Sequence, residues 1–194
     1  MKAIMISIKP KWCALIMNGE KTIEVRKNKA LASAIQKLID ENGYADIYAY
    51  CSKNEYLYRT NKGYFASKKP LAVGKGTDYT FAYSDEGKVV FKFRCYKIRS
   101  IIKRYIPKDS FIYSSSGCLL SQDSCLSYEE LDNCLKAKIG ETKGYAIHIS
   151  DLEIFDKPKW LIDFKTKVYP NKKDSLITKT ITKAPQNFCY VEVE

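Results

Sequence analysis

Hydrophobic and polar residues follow one another along the chain in patterns that predict many short strands and a few short helices. Apolar runs typical of strands cover residues 3–8, 21–27, 46–51, 79–83, 88–98, 144–155 and 188–193. Helical spacing of apolar residues predicts one helix that begins at Pro10 and others over residues 30–41, 127–137 and 158–164. Because the predicted strands are short and at least as numerous as the helices, we expect an α+β fold, a small β-barrel decorated by short helices.

Local signals mark where several of these elements begin and end. The first helix has apolar residues at i, i+3 and i+4 from Trp12, and Gly19 is expected to end it because glycine tolerates the left-handed conformation. Ser127-x-x-Glu130 has the form of a capping box, which predicts a helix start. The turn-forming residues 84–87 lie between two apolar runs and predict a β-hairpin.

Two polar stretches interrupt this pattern. Residues 52–77 are rich in lysine and tyrosine and are too long for a simple turn, so we interpret them as a mobile or partner-contacting insertion. Residues 165–183 form a threonine-rich polar connector. The chain shows no internal repeat, and we predict a single domain over residues 1–194 that contains these two insertions.

The chain is strongly basic, with 33 Lys and Arg against 22 Asp and Glu, a net charge of 33 − 22 = +11 over 194 residues. Residues 1–75 hold 14 basic and 6 acidic side chains, so most of the excess lies in the N-terminal part. Such an excess favours polyanionic partners, nucleic acid or nucleotide. No apolar run approaches the roughly 20 residues that span a bilayer, and lysines interrupt the N-terminal apolar run early. We therefore expect a soluble cytoplasmic protein with no membrane partner.

Cysteine and histidine usage argues against a metal centre. The seven cysteines contain no CxxC pair, and their spacing fits no zinc module, so we expect reduced, inert thiols. The only histidine, His148, lies in a strand-like run and is interpreted as a hydrogen-bonded structural residue. We predict no metal site and no cofactor.

Residues 9–26 carry the ordered motif KPKWxxLIxxGxKTxExR. This motif resembles the signature of the ASCH family, a branch of the PUA-like superfamily. Residues 87–98 and 144–158 also resemble this family, and residues 184–191 resemble its longer bacterial and phage-type members. The resemblance touches both ends of the chain, and residues 52–77 and 165–183 are its weakly covered parts.

The resemblance implies a PUA-like barrel with a cleft beside the first helix, where the GxKxxExR part contributes to the floor. PUA-like relatives bind RNA or modified bases, and some small ASCH proteins hydrolyse the amide of N4-acetylcytidine. Those hydrolases use the motif lysine together with a threonine three residues later. Here Lys21 matches the lysine, whereas Glu24 occupies the threonine position.

A base-binding cleft needs cations for phosphate, a carboxylate for exocyclic amines and aromatic rings for stacking. The candidate ligand-binding residues are Lys9, Lys11, Trp12, Lys21, Arg26, Lys92, Arg94 and Tyr96. Lys21 and Glu24 are also the candidate catalytic residues, as a metal-free acid/base pair. In an ideal strand Lys21 has the opposite parity to Glu24, so it reaches the same cleft only if a turn or bulge redirects it.

Each candidate also has a structural interpretation. Glu24 and Arg26 lie on one strand face and can form an ion pair at the helix–strand turn, with Lys21 simply solvated. The helical spacing of Trp12 favours a core-facing ring over a stacking platform. The alternation of Lys92, Arg94 and Tyr96 predicts a nucleic-acid stripe on one strand face, but an ordinary solvated barrel face has the same pattern.

The sequence favours RNA or modified-nucleotide binding through a basic cleft beside the first helix. One alternative is a small metal-free hydrolase that acts on RNA or a modified nucleoside. Another is a protein-binding inhibitor from a mobile element, because a fold does not fix a function.

Overall fold

The computed structural model describes residues 2–53, 56–60, 63–67, 69, 71, 79–83, 87–106, 110–115, 120–168 and 176–192. Within these ranges the helices are α1 (Pro10–Met17), α2 (Lys29–Asn42), α3 (Leu120–Ser124) and α4 (Tyr128–Leu135). The strands are β1 (Lys2–Ile8), β2 (Ile23–Arg26), β3 (Ala45–Cys51), β4 (Tyr56–Thr60), β5 (Gly63–Ser67), β6 (Tyr79–Tyr83), β7 (Val89–Cys95), β8 (Ile98–Ile106), β9 (Ser110–Ser114), β10 (Thr142–His148), β11 (Ser150–Lys159), β12 (Lys165–Val168), β13 (Ile177–Thr180) and β14 (Phe188–Glu192). The described chain is a mixed α+β structure rich in strands, which confirms the predicted fold class at this level.

The described strands form three sheets. The largest has the order β11-β7-β3-β1-β14-β12-β13, the second β2-β10-β8-β9 and the third β5-β4-β6. In the largest sheet β1 runs parallel to β3 and antiparallel to β14. None of the described helices is both long enough and apolar enough to cross a membrane.

The chain divides into two compact units. The first comprises Met1–Met17, Ile47–Lys92 and Glu153–Glu194, and the second comprises Asn18–Asp46 and Phe93–Leu152. One unit boundary follows the end of α1, and the other three fall within β3, β7 and β11. The assignment of residues 1–194 to one domain stays a prediction.

The core of the first unit is built from side chains of β1, β3, β7 and β14 together with residues that flank β12 and β13. Its buried members are Ala3, Met5, Tyr48, Tyr50, Val89, Phe164, Ile181 and Val191. The rings of Tyr48 and Phe164 meet edge to face with their centroids 5.2 Å apart. Phe164 directly precedes β12 and Ile181 directly follows β13, so these two buried residues anchor the same end of the paired strands.

The second unit contains α2, which the apolar pattern predicted closely. The Asn28 side chain caps its N-terminus by accepting a hydrogen bond from the Leu31 N–H at 3.0 Å. Gly43 ends the helix in the left-handed conformation, with φ of 82°. Leu31, Ile35 and Leu38 are buried, as their helical spacing predicts.

The predicted capping box of α4 is also confirmed. The Ser127 hydroxyl accepts from the Glu130 N–H at 3.1 Å, and the Glu130 carboxylate accepts from the Ser127 N–H at 2.8 Å. On the same helix, Asp132 accepts hydrogen bonds from Lys103 Nζ and the Tyr113 hydroxyl, both at 2.6 Å. These two donors lower the pKa of Asp132 and fasten α4 to β8 and β9.

The hairpin predicted around residues 84–87 is wrong. Both apolar runs are strands, but β6 pairs with β4 whereas β7 belongs to the largest sheet. Turn-forming residues predict a change of chain direction, but they do not determine which strands pair with each other.

The long strand predicted over residues 144–155 is in fact two strands, β10 and β11, in different sheets. Asp151, the second residue of β11, adopts a left-handed φ of 45°, which redirects the chain just after β10 ends. The apolar residues of β10 are followed directly by Leu152, Ile154 and Phe155 of β11, so the sequence pattern alone could not show the break.

Two further predictions near the C-terminus are wrong. Residues 158–164 do not form a helix, because β11 continues to Lys159 and only a 3₁₀ turn follows, at Leu161–Asp163. The connector predicted over residues 165–183 contains β12 and β13. Threonine and isoleucine favour extended backbone, which explains why a polar stretch forms strands here.

Candidate functional site

α1 begins at Pro10, as the sequence predicts. Proline suits this position because it has no N–H to leave unsatisfied, and the Lys9 carbonyl accepts from the N–H groups of Trp12 at 2.9 Å and Cys13 at 3.0 Å. The predicted stop is confirmed, since Gly19 has a left-handed φ of 76°. The helix is firmly seated, because most of its side chains are buried.

Trp12 is only half-buried, so its predicted core-facing position holds only in part. The Lys11 ammonium lies 4.3 Å from the centroid of the Trp12 ring, a cation–π contact. Lys9, just before the helix, is exposed, and α1 contains no acidic residue. These three residues, which we call the α1 surface, combine positive charge with an accessible aromatic edge.

The insertion over residues 52–77 contributes two described strands, β4 and β5, and both contact α1. Tyr58 is buried, and its hydroxyl accepts from the Leu71 N–H at 2.6 Å. The next residue, Arg59, points to the opposite face and is exposed. The described part of the insertion is therefore a small sheet beside α1 that carries a further cation.

The GxKxxExR part of the motif forms a buried charge network in the second unit. The Lys21 ammonium lies 3.3 Å from the Glu24 carboxylate, and Arg26 Nε donates to the same carboxylate at 2.8 Å. The side chains of Lys21 and Glu24 are only 1% and 7% exposed. The predicted Glu24–Arg26 ion pair is present, but the solvated Lys21 of the structural interpretation is wrong.

Lys21 makes two more hydrogen bonds, to the carbonyls of Ile23 at 2.8 Å and Ser124 at 2.7 Å. An ammonium group has three N–H donors, and here they meet two carbonyls and one carboxylate. Ser124 ends α3, where the last carbonyls of a helix lack internal partners. Lys21 thus fastens α3 to the start of β2, and its ammonium could reach a substrate only by giving up one of these bonds.

Carboxylates of other segments lie against the predicted stripe of Lys92, Arg94 and Tyr96, and the sequence pattern did not predict them. Arg94 lies 3.3 Å from Asp46 and 3.7 Å from Asp151. The Tyr96 hydroxyl donates to Asp151 at 2.5 Å, and the Arg94 guanidinium stacks 4.4 Å from the Tyr44 ring centroid. Asp46, Asp151 and Arg94 together carry a formal charge of −1, so the guanidinium is offset by its own neighbours.

Lys92, the third member of the stripe, is similarly offset, because its ammonium lies 2.9 Å from Glu153. Both carboxylates of the neighbouring strand, Asp151 and Glu153, belong to β11. Residues 88–108 contain no Asp or Glu, and the acids that pair with this stripe come from β11, a distant part of the chain. The predicted nucleic-acid stripe on β7 is therefore not supported by its electrostatics.

His148 and Cys95 are two further reactive side chains among the described residues. Burial and Arg99 lower the pKa of His148, so its imidazole is neutral at pH 7. Its Nε2 atom is buried and has no hydrogen-bond partner among the described residues, so the expected hydrogen bond is missing at that nitrogen. Burial raises the pKa of Cys95 to about 12, which keeps that thiol protonated. The described residues contain no group of His, Cys, Asp or Glu that could hold a metal ion.

The second unit also has an open groove of about 220 Å³ that sequence reasoning missed. Lys29, Ser33 and Gln36 of α2 line it together with Ser100 and Tyr145 of the strands. No predicted site residue lines this groove, although Arg26 is the cross-strand neighbour of Tyr145. Its residues come from three separate segments with no motif, so no local signal could have found it.

Comparison with known proteins gives no further assignment. No family model, no curated protein and no solved structure matches the chain. The likeness to the ASCH family therefore stays a prediction from the motif.

Proposed function

We propose that the protein binds RNA or a nucleotide through the α1 surface, Lys9, Lys11 and Trp12. The observation that carries this proposal is the contact between the half-buried Lys11 and Trp12, the ammonium lying over the ring, with the exposed Lys9 just before the helix. Proteins that bind single strands combine cations that follow the backbone with aromatic rings on which bases stack. We also propose that the fold is the PUA-like barrel, with which a strand-rich α+β structure is compatible.

Charge distribution supports this position. The first unit holds 19 basic and 10 acidic residues, a net of 19 − 10 = +9, and the second holds 14 and 12, a net of 14 − 12 = +2. The α1 surface thus lies in the unit that carries most of the positive charge. Arg59 on β4, the strand next to α1, adds an exposed cation to the same unit.

The hydrolase alternative draws no support from the site geometry. An acid/base pair must present at least one group to a substrate. Lys21 and Glu24 are almost fully buried and are bonded to each other and to their neighbours. We therefore assign them a positioning role in the second unit.

The proposal is tested by fluorescence anisotropy with a short labelled single-stranded RNA over a range of salt concentrations. Each single-strand phosphate contact contributes about 0.7 to the log–log salt slope, so Lys9→Ala combined with Lys11→Ala should reduce its magnitude by about 1.4. Trp12→Leu should weaken binding by roughly 5- to 150-fold at an unchanged slope, because stacking is worth about 1–3 kcal/mol per base.

The matched control is Lys37→Ala combined with Lys138→Ala, two exposed lysines of the second unit. This control should keep the wild-type slope. Absence of RNA binding at low salt, or an equal loss in both double variants, would overturn the proposal.

A further inference from the structure

The groove of the second unit, which we call the α2 groove, lies between α2 and the strands β8 and β10. Its volume of about 220 Å³ is below the roughly 300–1,000 Å³ of pockets that enclose drug-sized ligands. Lys29, Ser33 and Gln36 lie four and three residues apart and therefore share one face of α2. On the opposite wall Ser100 is directly across from Tyr145 in the antiparallel register, so both point to the same face of the sheet. The α2 groove thus has room for one small ligand.

The polar side chains of this groove have hydrogen-bonding capacity that the described protein does not use. Lys29, Ser33, Ser100 and Tyr145 make no side-chain hydrogen bond and no ion pair with any described residue. Water satisfies these groups in the free protein, and a ligand with matching groups would replace it. Polar groups that converge on one small pocket fix the orientation of a ligand there.

Gln36 is the exception, because its amide already has a partner that fixes its direction. Its Nε2 atom donates to Asp40 Oδ1 at 2.8 Å. Since a carboxylate only accepts hydrogen bonds, this contact assigns the NH₂ group to the Asp40 side and leaves Gln36 Oε1 to accept from a ligand. Gln36 therefore selects an N–H donor.

Charge gives the α2 groove a direction. Lys29 is the first residue of α2, and Gln36 lies seven residues later, about 10 Å along the helix axis at about 1.5 Å per residue. The ammonium lies at one end, and the Asp40 carboxylate lies beside the other end. Arg99 also borders the groove, but side chains alternate along a strand, so its guanidinium leaves β8 on the face opposite that of Ser100. An anionic group is therefore favoured at the Lys29 end and disfavoured at the Gln36 end.

We propose that the α2 groove binds a nucleoside monophosphate whose base carries an exocyclic amine, at a site separate from the α1 surface. Such a molecule has the required groups in the required order. Its phosphate meets Lys29, its sugar hydroxyls meet Ser33 and Ser100, its planar ring stacks on Tyr145, and its amine donates to Gln36 Oε1. Adenine and cytosine carry such an amine, whereas hypoxanthine has a carbonyl at the position of the adenine amine.

Isothermal titration calorimetry of the full chain with AMP, IMP and adenosine tests this site. AMP should bind about 10-fold more tightly than adenosine, the size of one charged hydrogen bond, and roughly 2- to 10-fold more tightly than IMP, the size of one neutral bond. Lys29→Ala should remove the preference over adenosine, and Gln36→Leu should remove the preference over IMP. The matched control is Lys37→Ala, an exposed lysine of α2 that pairs with Glu41 and does not line the groove, and it should keep both preferences.

A variant of the α1 surface separates the two sites. Lys9→Ala combined with Lys11→Ala should keep both preferences for AMP. If this double variant abolishes AMP binding while Lys29→Ala and Gln36→Leu bind AMP like the wild type, the nucleotide occupies the α1 surface, which would overturn the inference. Equal affinity of the wild type for AMP, IMP and adenosine, or no measurable AMP binding, would also overturn it. Neither of these two results bears on RNA binding by the α1 surface, which is measured with single-stranded RNA.

Discussion

At the scale of single residues, the motif predicted which charged side chains lie close together but not all the groups that they bond. The spacing of Lys21, Glu24 and Arg26 placed three charges near one turn, and the structure confirms that they meet. The sequence could not show that Lys21 would also bond the Ser124 carbonyl, 103 residues further along the chain. Because of that contact, we interpret Lys21 as a residue that holds α3 against β2 and not as a ligand-binding group.

The first residue-scale prediction concerns Lys21→Met. Methionine keeps the apolar stem but leaves Glu24 without one cation and two carbonyls without a donor. Removing one partner of a buried pair costs about 3–5 kcal/mol, so the free energy of unfolding should fall by about 3 kcal/mol. Urea unfolding followed by circular dichroism measures this change.

The control is Lys37→Ala, which breaks the exposed pair between Lys37 and Glu41 at 3.8 Å. Exposed pairs contribute about 0.2–1 kcal/mol, so this variant should unfold almost like the wild type. If the two variants lose equal stability, the buried contacts of Lys21 do not stabilise the protein more than an exposed ion pair does.

At the scale of elements, the sequence predicted helices and strands well where the signal was local. The caps of α2 and α4 and the turn at Gly19 were readable because each signal lies within a few residues. Strand partners were not readable, because pairing depends on distant segments. The break between β10 and β11 was also missed, because apolar residues continue along the sequence from one strand into the next.

An element-scale prediction concerns Gly144, at the register irregularity of β10. Its φ is 91°, and a Cβ there would collide with the Leu135 side chain of α4. Gly144→Ala should therefore lower the free energy of unfolding by both backbone strain and overpacking, about 2–4 kcal/mol together.

Gly140 separates these two causes. It has a comparable φ of 82°, but a Cβ there would meet nothing within 4 Å. Gly140→Ala should then cost only the strain, about 1–2 kcal/mol. Thermal and urea unfolding of both variants measure the difference. Equal losses would show that α4 does not pack closely against β10 at this point.

At the scale of the whole molecule, the net charge of +11 predicted a polyanionic partner but not where it binds. The N-terminal excess was visible along the sequence, yet the first unit also takes residues from the middle and the C-terminal part of the chain. Only the fold shows that distant carboxylates offset Lys92 and Arg94, while the α1 surface lies in the unit with a net charge of +9. Local density of lysine is therefore a poor guide to local potential.

This arrangement predicts that Arg94 contributes little to nucleic-acid binding despite its position in the predicted nucleic-acid stripe. Asp46 and Asp151 face the guanidinium, so Arg94→Ala should leave the salt slope of single-strand binding within about 0.2 of the wild type, well below the 0.7 of one phosphate contact. Asp151→Asn tests the converse. Asparagine tolerates the left-handed φ and still accepts from Tyr96, but it no longer offsets Arg94, so the slope should steepen. A loss in Arg94→Ala as large as that in the Lys9→Ala and Lys11→Ala double variant would show that the carboxylates do not neutralise the stripe and would return it to the interface.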